Sequence, residues 1–196
     1  MSGRALIGVL LAVAACADAG GDDDGADARG AIDGRVYDDG TRADAPHLAD
    51  GPGVWLNETD AAAEADFCNV QFPATLLVIA GQPSEPIYTR IYEAGRTEAA
   101  GAPAGIVAQL GVGPEGSVPS DAGWTWVAAA YNVQTENNDE FTATITAPPS
   151  PGNFVYAARF SIDGAGFTAC DLDGAGANEG LALDPGQLGQ LTVIAP

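Results

Sequence analysis

Phe154-Val155-Tyr156-Ala157-Ala158-Arg159-Phe160-Ser161-Ile162 decides the fold of this chain. Phe154, Tyr156, Ala158, Phe160 and Ile162 alternate with Val155, Ala157, Arg159 and Ser161, and a period of two puts the larger apolar side chains on one side of a half-buried strand. Working outward, Phe141, Ala143 and Ile145 alternate in the same way with Thr142, Thr144 and Thr146. Further strands are expected at Cys68 to Phe72, Leu76 to Ile79, Ile87 to Tyr92, Ile106 to Val112, Trp124 to Tyr131, Phe167 to Cys170 and Leu191 to Ala195. Gly81-Gln82-Pro83, Gly113 to Gly116, Asn137-Asn138-Asp139, Pro148 to Gly152 and Asp163-Gly164 supply the turn chemistry between them. Eight or nine short strands with no long helical pattern predict an all-β, Ig-like antiparallel β-sandwich, with a barrel of similar strand count as its rival.

The N-terminal third reads differently. Arg4 precedes an apolar run, Ala5 to Ala15, too short to span a bilayer, so residues 1–15 read as a signal peptide. Leu11-Ala12-Val13-Ala14-Ala15-Cys16 resembles the bacterial lipobox, and the resemblance implies cleavage before Cys16 and acylation of that cysteine. Several acyl chains, each contributing about 0.8 kcal/mol per buried methylene, would anchor the protein stably to a membrane. Residues 16–56 are rich in Gly, Ala and Asp, and they carry too little apolar surface to offset the entropy of ordering, so a disordered tether is expected there. A linker of that kind reaches roughly 40 Å. The domain would then occupy residues 57–196, with Asn57-Glu58-Thr59-Asp60 capping one or two helical turns over Ala61 to Glu64 and with Trp55 and Leu56 docked at the entry. Ala17 after the cysteine favours the outer membrane, because it leaves out the aspartate that signals inner-membrane retention in some bacteria.

Charge bounds the partners. The chain contains no lysine and has a formal charge of −20, spread over both the tether and the domain. Nucleic acid and anionic membrane surfaces would be repelled, so neutral ligands, cations and proteins are the partners to expect. Catalysis has little to work with. The single histidine, His47, lies in the tether, so no Ser-His-Asp or Cys-His arrangement can be built in the domain, and the acids Asp139, Glu140, Asp171 and Asp173 fall in expected turns. The chain reads as a noncatalytic protein.

With Cys16 assigned to lipid, Cys68 and Cys170 remain as an even pair in an oxidising compartment and are expected to form a disulfide. Asp171-Leu172-Asp173-Gly174 opens like a calcium loop, with Asp171, Asp173 and Asn178 as the candidate Ca2+ ligands; Ala175 and Ala182 break the pattern, and a solvated acidic turn is the simpler account. No other cofactor is indicated. Trp124 and Trp126, two apart on one strand, share a face and form a candidate sugar platform, with core packing as the alternative. Tyr88, Arg90 and Tyr92 share a face of another strand and form a second candidate surface.

Several of these segments carry a resemblance. Cys68-Asn69-Val70-Gln71-Phe72-Pro73, Gly105 to Gly113, Trp124-Thr125-Trp126, Tyr131 to Gln134, Asn137 to Phe141 and Tyr156 to Gly164 resemble an Ig-like accessory module of bacterial secreted proteins and lipoproteins, some of which carry it beside starch-degrading or nuclease domains. Phe167 departs from that pattern, which has tryptophan there. The resemblance implies a β-sandwich with a noncatalytic role and names no ligand. Two functions follow as expectations. One is a cell-surface module for protein interaction or structure, presenting an open strand edge or an apolar patch. The other is a carbohydrate-binding module, presenting exposed coplanar rings.

Overall fold

The computed structural model describes residues 55–56, 63–178 and 181–196. The signal peptide, Cys16, the tether through residue 54 with His47, and the cap at Asn57 to Asp60 lie outside the described residues. Of the expected helical turn, Ala63 and Glu64 are described, and they form a turn and a bend.

Nine strands follow in order: β1 (Phe67–Phe72), β2 (Thr75–Ile79), β3 (Ile87–Tyr92), β4 (Ile106–Pro114), β5 (Thr125–Thr135), β6 (Asn138–Ala143), β7 (Gly152–Ile162), β8 (Thr168–Cys170) and β9 (Gly189–Ile194). All nine strands expected from periodicity are present. They pair in the order β1-β3-β6-β5-β4-β7-β9-β2, with β8 added to β7. β1 and β2 end that path on opposite sides, yet only Pro73 and Ala74 separate them in the chain. The sheet therefore has to curl until its two ends approach, which gives the two facing layers of a sandwich; β1 and β2 do not pair, so no barrel closes. β5 joins the layers, pairing β4 through residues 125–129 and β6 through residues 130–135. Every pair is antiparallel except β2 with β9, which is parallel and departs from the purely antiparallel expectation.

Between the layers, Val70, Ile87, Ile91, Leu110, Phe141, Tyr156, Phe160 and Leu191 form the buried core. Phe141 meets Phe160 edge-on across the two layers, with ring centres 5.6 Å apart, and Tyr131 meets Phe141 at 5.9 Å. Such pairs add about 0.5–1.5 kcal/mol beyond their buried area. The Tyr156 hydroxyl donates to the Pro73 carbonyl, tying the centre of β7 to the β1–β2 link. Cys68 on β1 and Cys170 on β8 are bonded, with Cα atoms 5.6 Å apart and 102 residues of separation. In the chain-entropy account, closing a loop of that size contributes at most about 4.7 kcal/mol.

Two local expectations change. Asn137-Asn138-Asp139 is not the β5–β6 turn: the turn falls on Glu136 and Asn137, with Glu136 at φ 59°, and β6 begins at Asn138. Asp139 and Glu140 are consequently strand residues, and Asp139 is fully buried. β7 is also not half-buried. Val155, Ala157, Arg159 and Ser161 are as buried as the residues that alternate with them, because a second layer of side chains covers the outer surface of this central strand.

Candidate functional site

That covering layer is where the sequence-derived tryptophans go. β5 pairs β4 with Trp126 opposite Gly111, and Trp124, two residues earlier, lies against Gly113. A Cβ on Gly111 would fall 2.5 Å from the Trp126 ring, and one on Gly113 would fall 2.2 Å from Trp124. Glycine at these two positions is what lets both indoles lie against the β4 backbone. The rings stack on each other, with centres 5.3 Å apart and planes 18° from parallel, and the Trp124 indole N–H donates to Ser117 Oγ at 2.9 Å. Both are half-buried. They face away from the main core, on the side of β5 where Ala128 and Ala130 are exposed.

Arg159 lies beside Trp126. Its guanidinium carbon is 4.1 Å from the centre of the Trp126 ring, 3.9 Å from that of Phe167 and 5.3 Å from that of Trp55. Trp55 is docked as expected: it bridges to Phe167, and the Leu56 amide donates to the Phe167 carbonyl at 3.0 Å. The Arg159 side chain is fully buried, its Nε donates to Gln109 Oε1 at 2.6 Å, and its Nη1 and Nη2 have no hydrogen-bond partner. Burial disfavours the charged form and lowers its pKa to about 10. The rings offset part of that cost, since a desolvated cation–π contact contributes about 2 kcal/mol. Trp126 is thus stacked on Trp124 and contacted by Arg159, both from its own chain. The pair forms part of an aromatic-cation ladder.

The second candidate surface is on the other layer. Tyr88, Arg90 and Tyr92 alternate, half-buried, on the outer face of β3. Arg90 is engaged there: its Nε donates to Asn69 Oδ1 at 2.9 Å, and its guanidinium carbon lies 5.4 Å from the centre of the Phe67 ring. Burial and the neighbouring Glu98 and Asp66 carboxylates push the Tyr92 hydroxyl above its ordinary pKa.

The Asp171 loop has a structural use. Asp171 is fully buried, and its two carboxylate oxygens accept from the Gly174 amide at 2.8 Å and the Asp184 amide at 2.7 Å. Burial raises its pKa, the two amide bonds oppose that rise, and Asp173 adds to it. Asp173 and Asn178 are exposed. Among the described residues no three His, Cys, Asp or Glu side chains converge in a way that would hold a metal ion. The loop covers the free edge of β1: Cys68 and Ala175 exchange backbone hydrogen bonds, and the Val70 amide donates to the Asp171 carbonyl.

Among the described residues, nothing covers the opposite end of the sheet. β2 has β9 on one side only. Leu77 is 68% exposed and Ile79 43%, and Ile194, paired with Ile79 on β9, is 41% exposed. A groove of about 270 Å³ runs between β2 and the segment Gln82 to Glu85. Sequence reasoning placed the strand here but missed its position at an edge. The signal available was Ala74 to Ala80, a seven-residue β-prone run without a charge or a proline.

No protein-family model matches the chain. An amylopullulanase of Thermoanaerobacterium thermosulfurigenes is 34% identical over 95 residues, a match covering 41% of this chain. The match spans only 5% of that enzyme's length. It is similar to an accessory-sized piece of a bacterial enzyme. Among the described residues no helix is long and apolar enough to cross a membrane.

Proposed function

We propose that this chain is a noncatalytic accessory module of the bacterial cell surface, held through Cys16 and its acidic tether and binding another protein with the β2–β9 face. The observation that carries the reading is the open β2 edge beside the exposed Leu77, Ile79 and Ile194 side chains. Strand edges of this length are ordinarily protected by charge, proline or a covering loop. Among the described residues a loop protects β1 in that way and nothing protects β2. The other candidate surfaces are more fully occupied by the protein's own groups: Arg159 and Trp124 on Trp126, Asn69 on Arg90, and two amides on Asp171. Nothing in this reading requires a cofactor or nucleic acid.

Photocrosslinking on cells tests it. A photoreactive residue in place of Leu77 should capture a discrete protein, whereas the same residue in place of the exposed Val133 on β5 should not. Equal capture at both positions, or none at either, would remove the interaction reading.

A carbohydrate-binding role is the second reading, favoured by the partial match to an amylopullulanase and by the half-buried Trp124. Retardation of the protein in gels containing pullulan or amylopectin, lost on Trp124→Ala, would put this reading first.

A further inference from the structure

The β2 ladder shows which backbone groups are unused. The Gln190 amide donates to the Ala74 carbonyl, and the Ala80 amide donates to the Ile194 carbonyl. In a parallel pair, these two bonds fix the alternation: Ala74, Leu76, Val78 and Ala80 turn their peptide groups to β9, and Thr75, Leu77 and Ile79 turn theirs to the open edge. The Ile79 carbonyl accepts from the Gln82 amide as the chain turns away. The amide and carbonyl of Leu77 and the amide of Ile79 therefore face the groove, and those of Thr75 face the same open edge beside it. Its far wall carries Pro83 and the exposed carboxylate of Glu85.

We infer that the groove takes an extended segment of another protein as an added strand, one with small aliphatic residues at alternate positions and a lysine or arginine at its flank. This rests on the protein-interaction reading above and specifies its partner. Main-chain hydrogen bonds to Thr75 and Leu77 would supply affinity, and the apolar side chains of Leu77 and Ile79 would supply register. The basic flank follows from charge. The chain carries −20, and among the described residues the only ionisable group on the groove is Glu85. The folded domain of a second copy does not meet that requirement. Its three arginines beyond Asp66 are all engaged: Arg90 with Asn69, Arg96 in a bidentate pair with Asp163, and Arg159 within the aromatic ladder. Among the described residues, a second copy would bring carboxylates and no free cation to Glu85.

The test uses the full chain and two blocked nine-residue peptides with the same alternating valine–threonine core, one flanked by lysines and one by glutamates, read by fluorescence anisotropy. The lysine-flanked peptide should bind, the glutamate-flanked one at least 10-fold more weakly, and 0.5 M salt should narrow the gap. Leu77→Pro removes an outward amide without touching the β9 ladder and should weaken binding at least 10-fold, while Leu77→Ser keeps the amide and should retain most of it. Thr75→Pro repeats the deletion at the neighbouring outward amide, so the inference stays testable if one proline variant melts early. Equal binding of both peptides, undiminished binding by both proline variants, or a dimer of the chain that Leu77→Pro dissolves would overturn it. Protein capture at position 77 without peptide binding would sink strand addition and leave the interaction reading standing; peptide binding without such capture would do the reverse.

Discussion

Arg159 stands 4.1 Å from the centre of the Trp126 ring with its Nε bonded to Gln109 and its two terminal nitrogens bonded to nothing. A chain with 27 acidic residues thus buries a cation without giving it one of them. Aromatic faces stand in for the counter-ion, and this explains why the outer surface of β7 is closed. The arrangement separates two contributions that a double-mutant cycle can measure. Gln109→Leu leaves Arg159 without its one hydrogen bond and should cost about 1–3 kcal/mol. Adding Arg159→Met removes the stranded charge as well, and the double variant should recover most of that loss, because an apolar pair of similar volume is often as stable as a buried polar one. Urea unfolding of the four proteins checks this; a double variant as unstable as the sum of its parts would mean that the cation–π contacts dominate.

The glycines under the indoles make a second prediction. At Gly113 a Cβ would overlap the Trp124 ring, so Gly113→Ala must displace the indole or bend β4. Overpacking of this kind typically costs about 1–3 kcal/mol. The expected result is a lower melting temperature together with a red shift in tryptophan emission as Trp124 moves outward. Gly116→Ala, where a Cβ meets nothing within 4 Å, is not a neutral control because its φ of +76° favours glycine. Val133→Thr on exposed β5 serves instead.

Asp171 predicts the answer to the calcium question. Its carboxylate already accepts from two backbone amides inside the protein, so Asp171→Ala should strand both donors and cost about 2–6 kcal/mol, at about 1–3 kcal/mol for each unsatisfied group. Calcium and chelator should leave the melting temperature of the unsubstituted protein unchanged. A rise with millimolar calcium that disappears in Asp173→Asn would instead make the loop a cation site.

Much of the fold was legible because burial writes itself into the chain at a period of two. Phe154 to Ile162 and Phe141 to Ile145 announced strands, the turn residues divided them, and Cys68 with Cys170 announced the bond across the layers. Neighbourhood was not legible. That β2 would pair in parallel with β9, 115 residues away at its first pair, depends on the curl of the whole sheet and on no local pattern. The same reason hid the ladder: Trp55, Trp126, Arg159 and Phe167 come from four separate segments, and Arg159 among alternating residues looked like the solvent side of an ordinary strand. Asn137-Asn138-Asp139 misled for a different reason. Its composition is that of a turn, but the inward-facing position opposite Ile91 drew Asp139 into β6 and buried it.

That burial gives the last prediction, which concerns pH. Asp139 is fully buried, neither of its carboxylate oxygens has a hydrogen-bond partner, and desolvation raises its pKa. A carboxyl group whose folded pKa exceeds its unfolded value binds its proton more tightly in the native state. Stability from this group is then fully present below the unfolded pKa, about 3.9, and falls as pH rises through the folded value. At neutral pH the folded protein therefore bears the cost of burying this carboxyl group. Asp139→Asn keeps the shape and removes the charge, so it should stabilise the protein at pH 7 by about 1 kcal/mol or more, with the difference vanishing as pH falls towards 3.5. Thermal melts of both proteins across that range check it. A variant less stable than the parent at pH 7 would show that the ionised carboxylate has a favourable partner, and an advantage that persists at pH 3.5 would show that the gain comes from packing rather than charge.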